Sequence, residues 1–518
     1  MAQDTTVNTV PTWKKYNRPW YQKFGLAVLN YIKNVGTMIW NVIKNIPHAI
    51  WRLICAIGLC FQGLWTRFKN GDFRTKISYL IFGFGCFTRG KKQVLKGILL
   101  FLFEALFIVY MIFIGGPNLA LMGSLGTIEM TEDPDGFGYI DNYHNSMEIL
   151  IFSVMTIFFI IFFAYMYIKN TKIAYDTQKL VEAGKPLSGP KQQLNYALND
   201  GYHVTVLALP VLGVLLITVL PLTVNILVAF TNYDWMHNPP AQLFDWTGFE
   251  AFGKLFGRSF GTQLWSVLGW TLVWAVFATF TNFFFGMFLA MIINKKSIKL
   301  KTFWRTCFVI VIAVPDFISL MMMSKFFSYN PMKSSTGAFN RILSDWFHIK
   351  FTTEGGIDWF GTSTFSAGMA RVSVIVINLW RGMPFTMLST YGILMNIPEE
   401  LYESSRIDGA GPVRRFVSIT FPYIMFVMGP SLITTFTGNI NNFNVIFFLT
   451  GGGPNNVGNS PGDTDLLITW LYKLTVDSAN EQFAMGSVIG IFTFLITSFF
   501  ALIVFNSSKS IKQEDTFQ

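Results

Sequence analysis

Apolar residues in this chain gather into unbroken runs instead of marking one face of a helix or alternating along a strand. Eight runs, at about 97–115, 148–168, 204–230, 264–293, 305–323, 367–390, 422–447 and 485–505, are long enough for an α-helix to cross a hydrocarbon core of ~30 Å. The pattern predicts an all-α, polytopic helical membrane protein with about eight transmembrane helices. Residues 49–65 are a further apolar stretch, but a short one that contains Arg52. A ninth crossing would also break the charge alternation between the runs, so this stretch is set aside as a span.

The polar segments between the runs set orientation, because short cytosolic loops collect Lys and Arg. Segment 169–202 carries Lys169, Lys172, Lys179, Lys185 and Lys191, and segment 294–305 carries Lys295, Lys296, Lys299, Lys301 and Arg305. Segment 116–147 holds Glu129, Glu132, Asp133, Asp135 and Asp141 with no Lys or Arg, and the tail has Lys509 and Lys512. Alternation therefore puts both termini and the 391–421 loop in the cytosol. Composition agrees with the class: 52% of residues are hydrophobic and 13% charged, against ~25% charged in an ordinary soluble domain.

Charge is unevenly spread. The first 96 residues hold 15 Lys and Arg against Asp4 and Asp72, a net +13, so the remainder is −3. No signal peptide is visible, because the first twenty residues lack an apolar core. Within 20–46, Asn30, Asn34, Thr37, Asn41 and Asn45 recur every three to four residues on an otherwise apolar helix, with Lys33 and Lys44 beside them. Such a helix suits the cytosolic interface and anionic membrane lipid, or packs its apolar side on the protein itself. The expected organisation is a basic, amphipathic helical region at 1–96 and the first two spans with a cytosolic linker at 97–200. A six-helix core follows at 201–510, with a cytosolic tail at 511–518.

Chemistry is sparse. Cys55, Cys60, Cys86 and Cys307 have no metal spacing and indicate no disulfide framework. Five scattered histidines offer no metal or nucleophile–base pattern, so no catalytic residues and no metal site are expected. Gly85-Cys-Phe-Thr-Arg-Gly90-Lys91-Lys92 approaches the phosphate-binding pattern G-x-x-x-x-G-K-[ST], but Lys92 stands where a hydroxyl should hold magnesium and no strand precedes it. The chain is expected to bind no ATP itself, to have no cofactor and to need no nucleic acid.

One polar island, 399–422, interrupts the apolar sequence near its C-terminal end. Pro398 with Glu399 and Glu400 makes a good helix start, Gly409 a natural stop, and Pro412 the opening of a second short helix toward Pro422. Ser404 and Ser405 keep one face thin, so a partner's backbone can approach. A short capped helix on the cytosolic side is a docking device.

Glu403-Ser404-Ser405-Arg406-Ile407-Asp408-Gly409-Ala410, with Ile419 and Pro422 beyond, closely resembles the E-A-A-x-x-x-G signature of bacterial ABC importer permeases. Asn442-Phe443, Leu449-Thr450-Gly451-Gly452-Gly453-Pro454 and Thr464-Asp465-Leu466-Leu467 extend the likeness to the larger permease of maltose/maltodextrin systems. The resemblance spans about 97–518, and the short 231–263 loop is similar to that of Gram-positive members. It implies an oligosaccharide path, maltodextrin first and galacto-oligosaccharides as the alternative, in a bacterial cell membrane. It also implies a second homologous permease, two copies of a cytosolic ATPase that bind ATP and magnesium, and an extracytoplasmic sugar-binding protein. Glu403, Ser404, Ser405, Asp408, Gly409 and Ala410 would couple to an ATPase.

Motif matching places the sugar site at Asn378, Arg381, Gly382, Phe385, Gly438, Asn439 and Asn442, where amides suit sugar hydroxyls; the same Asn residues could instead bond between helices. Arg381 stands for an aliphatic residue, Phe385 for Tyr and Gly438 for an aromatic, which weakens strict maltose specificity and leaves room for another oligosaccharide. Pro315 is followed by Asp316, and both Asp316 and Arg381 fall inside apolar runs, so the two are expected to pair or to line a wet path together. Glu104, in the first run, is expected to contact a neighbouring helix or to snorkel. A secondary transporter would share the spans but need no docking helix, and no internal repeat is visible. A membrane-embedded enzyme would need clustered acids or metal ligands.

Overall fold

Long apolar runs leave backbone amides nowhere to bond except along the chain, and the protein is accordingly helical. The computed structural model describes residues 44–507 apart from 46, 53, 132–142, 296, 330–336, 350–355, 362–365, 456 and 478. Most of the polar stripe at 20–46 and the tail beyond 507 lie outside the described residues. Among the described residues, extended pairing is limited to one bridge between Thr231 and Trp246.

The long apolar helices begin with α1 (Pro47–Asn70), α2 (Lys91–Leu121), α3 (Ser146–Glu182), α4 (Tyr202–Val228) and α5. Helix α5 runs Arg258–Asn294. After it come α6 (Lys301–Ala313), α7 (Asp316–Phe326), α8 (Ala367–Met395) and α9 (Glu399–Ile407). The rest are α10 (Pro412–Ile440), α11 (Phe443–Thr450), α12 (Leu467–Tyr472) and α13 (Phe483–Ser507). Eight helices among the described residues are long and apolar enough to cross a membrane, and the bent pair α6–α7 makes a ninth candidate.

Four boundaries differ from the sequence expectation. Helix α1 is 24 residues long, because it extends beyond the stretch 49–65 at both ends. The run 305–323 is not one straight helix: α6 and α7 meet at a 96° bend. Its cause is Pro315, which holds Val314 extended at φ −84° and ψ 132° and cannot continue the α6 ladder. The run 422–447 breaks at Asn441, where Asn442 caps a new helix by accepting from the Val445 amide. At the other end, the helix opened by Pro412 is not short but continues through a π-turn at Phe416–Thr420 into the span.

The chain divides into two compact units, Met1–Tyr110 with Phe159–Val206, and Met111–Phe158 with Leu207–Gln518. In the first, a loop at 78–83 is drawn into apolar surroundings. Phe82 is buried and stacks on Phe163 with centroids 5.1 Å apart. The Phe82 amide donates to Glu104 Oε2 at 2.8 Å, which gives that carboxylate a backbone partner. Asn170 accepts from the Gly83 amide and donates to Ser78 O, so it serves both sides of the turn. Arg89 bonds Asp72, Thr75 Oγ1 and Ala174 O. Residues 72–89, including the first part of the glycine-lysine lead-in, are therefore tied into packing, while Lys91 and Lys92 stay exposed.

In the second unit α5 is the spine. Trp270, Trp274 and Ala278, each four residues on, share one face and meet Leu320 of α7, Val374 and Ile377 of α8, and Val445, Ile446 and Leu449 of α11. Toward its C-terminal end, Phe283 and Met287 pack on Ile424 and Met428 of α10, while Ala290 and Ile293 meet Met387 of α8. Glycines set the closeness of α5 and α8: a Cβ on Gly286 would lie 2.6 Å from Thr386 Cβ and 2.9 Å from Met383 O. Arg305 ties α6 to α8 by donating to Tyr391 Oη at 3.0 Å while lying over its ring.

Candidate functional site: a docking helix and a polar seam

Helix α9 is short, and its sequence supplies both ends. Pro398 is the N-cap and Glu399 and Glu400 occupy the first turn, where the helix dipole favours acids. At the other end Gly409 takes φ +75°, its amide donates to Arg406 O at 3.1 Å, and the Ala410 amide donates to Ser405 O at 2.9 Å. These two bonds are the Schellman closure, which needs the left-handed residue that glycine supplies without strain. Tyr402 Oη and Thr420 Oγ1 lie 2.9 Å apart, which fixes α9 to the beginning of α10. Glu403, Ser404, Asp408 and Gly409 are exposed, and Ser405 and Ala410 half-buried.

Two apolar residues that the sequence did not single out complete this surface. Ile407 is 88% exposed and Val413 76%. Apolar side chains so open beside a short polar helix are available for contact with a protein partner. No sequence signal separates them from ordinary amphipathic positions.

The second set of candidates lies along α5, α7, α8, α10 and α11. Asp316 is the first residue of α7, just past the bend, and Arg381 lies near the middle of α8. Arg381 Nε donates to Asp316 Oδ1 at 2.6 Å and Nη2 donates to Oδ2, a bidentate ion pair. Arg381 Nη1 also leans on Asn378 Oδ1 at 3.4 Å. The side chains are not sealed away: 25% of Arg381 and 44% of Asp316 stay accessible. The dipole at the start of α7 favours the carboxylate there.

Beside this pair, a Cβ on Gly382 would fall 2.3 Å from Asn282 Nδ2, so the glycine lets the Asn282 amide lie against the α8 backbone. Asn282 Oδ1 and Asn378 Nδ2 are both buried without a hydrogen-bond partner. Asn439 and Asn442 form a separate chain, in which Asn442 Nδ2 donates to Asn439 Oδ1 at 3.1 Å and Asn439 Nδ2 donates to Thr279 Oγ1 at 3.0 Å. Trp274 Nε1 donates to Asn439 O at 3.1 Å, locking the end of α10 against α5. Phe385 is 66% exposed, and Gly438 has open space where a Cβ would be.

The structure thus gathers Asn378, Arg381 and Asp316 at one place and Asn439 with Asn442 at another, and leaves Phe385 and Gly438 facing outward. Thr279 and Asn282 join these groups although the sequence did not single them out. Their only signal was polarity inside the apolar run 264–293. A buried clasp closes the neighbouring loop: Lys473 Nζ donates to Asp465 Oδ2 at 2.6 Å, and Asp465 also accepts from the Gly462 amide and Thr469 Oγ1. Among the described residues, no group of three or more His, Cys, Asp or Glu could hold a metal ion.

Residues 282–513 match the family described as binding-protein-dependent transport system inner membrane component. The galactooligosaccharides transport system permease protein GanP of Bacillus subtilis (strain 168) is 34% identical over 427 residues, covering 82% of this chain and 95% of that protein. The maltodextrin transport system permease protein MalC of Streptococcus pneumoniae serotype 4 is 31% identical over 430 residues, covering 82% and 93% respectively. Among solved structures, a bacterial ABC transporter involved in the import of the acidic polysaccharide alginate aligns at 20% identity with a TM-score of 0.47, over 62% of this chain and 99% of that one.

Proposed function

We propose, because this chain belongs to the family of binding-protein-dependent transport system inner membrane components, that it lines the path of an ATP-driven oligosaccharide importer and takes its power stroke through α9. It is a multi-pass permease subunit, not an enzyme, and ATP is bound by partner ATPase subunits. A binding protein delivers the sugar from outside. A second, homologous permease completes the path, and two copies of the ATPase sit on the cytosolic side, where both termini of this chain also lie. Closure of the ATPases rocks the permeases about a site near the membrane midplane.

The observation that carries this reading is α9 itself: a helix opened by Pro398 and closed at Gly409, bonded to α10 through Tyr402, and open at Glu403 and Ile407, with Val413 of α10 exposed beyond its end. Force applied to it passes through Tyr402–Thr420 into a spanning helix. Gly409→Val forces a β-branched residue into a left-handed conformation, which costs ~1–2 kcal/mol or more, while leaving the spans intact. Copurification of the ATPase with the variant is expected to fall at least severalfold, with this chain still in the membrane. Undiminished copurification together with normal ATP-driven uptake would remove α9 from the coupling role.

For the cargo, we read Asn378, Arg381, Gly382, Phe385, Gly438, Asn439 and Asn442 as lining the sugar site, with maltodextrin the leading substrate. Galacto-oligosaccharides are the second reading, favoured by the 34% identity to the Bacillus subtilis protein. Open space at Gly438 and the absence of a phenol at Phe385 suit a site that does not grip one maltose unit tightly.

A further inference from the structure

Asp316 and Arg381 are charges set in apolar helices, and they are neither buried nor apart. Exposure to hydrocarbon is costly for either group, so the accessible edge of the pair faces water or a polar partner. Three of the five guanidinium N–H groups are used on Asp316 and Asn378, which leaves two pointing elsewhere. The carboxylate likewise keeps acceptor capacity beyond its two bonds. Asn378 Nδ2 and Asn282 Oδ1, one donor and one acceptor, are buried and unpartnered beside it. A corner built only to staple α7 to α8 would leave no such orphans.

Taken as a unit, the pair is neutral and offers both donors and acceptors in a fixed fork, which matches neighbouring sugar hydroxyls. Alone, Arg381 would be a fork for a carboxylate. We propose that Asp316 is a specificity-determining residue: by occupying the Arg381 guanidinium it keeps the path neutral, admitting uncharged oligosaccharides and excluding uronate oligosaccharides. The proposal rests on the oligosaccharide reading above and deepens it. A sugar carboxylate meets Asp316 as a like charge and can reach Arg381 only by displacing a bidentate intramolecular partner.

The test uses the full importer in nanodiscs without its binding protein, so that the binding protein's own selectivity does not enter. Equilibrium dialysis with labelled maltotriose, β-galactotriose and trigalacturonate reads affinity for the membrane site. Wild type is expected to bind at least one of the neutral sugars and to ignore trigalacturonate. Asp316→Asn keeps the shape and the bend but frees Arg381, and is expected to weaken neutral binding and strengthen trigalacturonate binding, each by about tenfold, the scale of one charge-assisted hydrogen bond. Adding Arg381→Met should abolish the gain. Should the Asn variant fail to assemble, Asp316→Ser, which keeps a residue suited to a helix start, is read in the same way. An unchanged ratio of neutral to anionic affinity in the variant overturns the proposal and leaves the pair a staple. Binding of neither neutral sugar to wild type is a different failure: it removes the oligosaccharide reading, and this proposal with it.

Discussion

Gly286 and Gly382 let α5 and α8 approach until side chain meets backbone. At Gly286 a methyl group would press on Thr386 Cβ and on the Met383 carbonyl, one a branched side chain and the other immovable backbone. At Gly392, farther along α8, a methyl group would meet nothing within 4 Å. The two positions therefore give opposite results for the same change. Gly286→Ala is expected to destabilise the protein by ~1–3 kcal/mol through overpacking, whereas Gly392→Ala should be neutral or stabilise it by up to ~1 kcal/mol through helix propensity. Thermal midpoints of the two variants in detergent decide it, and equal midpoints would show that the α5–α8 contact yields more easily than the geometry implies. At this scale the sequence was legible where a residue was chemically out of place. Asp316 and Arg381 stood out as charges in apolar runs, and Gly409 as a stop after a polar helix. Thr279 and Asn282 were not seen, because small polar residues are common in spans and only their contacts with Asn439 and Gly382 give them a role. Ile407 and Val413 were hidden because no pattern tells an apolar residue awaiting a partner from one already packed.

Among the helices, the bend between α6 and α7 matters most, since it brings the first residue of α7 to Arg381. Pro315 causes it locally, so the pair depends on one ring. Pro315→Ala restores the missing amide and allows α6 to continue toward Asp316 as one helix. Uptake is expected to fall by at least about tenfold, the measure of a lost bidentate charge pair, with assembly and ATPase copurification preserved. Wild-type uptake in this variant would mean that packing of Leu320 and Ser324 on α11, and not the proline, holds the bend. Apolar runs located the spans well but not their breaks. Hydropathy sums across Pro315, and it sums across Asn441-Asn442 because Phe443–Thr450 is as apolar as the helix before it. For α1 the difference ran the other way: the apolar stretch 49–65 is only part of a helix that reaches 24 residues. Helix α9 was readable almost residue by residue, because its ends are set by local chemistry alone.

In the whole molecule, the proposed function divides between two places in this chain: helix α9 would receive force, and the polar seam along α5, α8, α10 and α11 would receive sugar. The span α10 joins them, anchored at one end by Tyr402–Thr420 and at the other by Trp274 and Asn439. Family membership was legible from the motifs around 403–410 and 449–467, whereas the identity of the sugar was not, since the site residues depart from the maltose pattern at three of seven positions. The central claim is that transport through this chain is powered by an ATPase gripping α9. Its most direct test is uptake of labelled maltotetraose and β-galactotriose into proteoliposomes holding the complete importer, with binding protein outside and ATP or a non-hydrolysable analogue within. Accumulation of at least one sugar is expected only with hydrolysable ATP, and is expected to be lost in a Glu403→Ala, Ile407→Asp double variant. Uptake that continues without ATP, or that follows an imposed ion gradient and ignores the α9 variant, would contradict it.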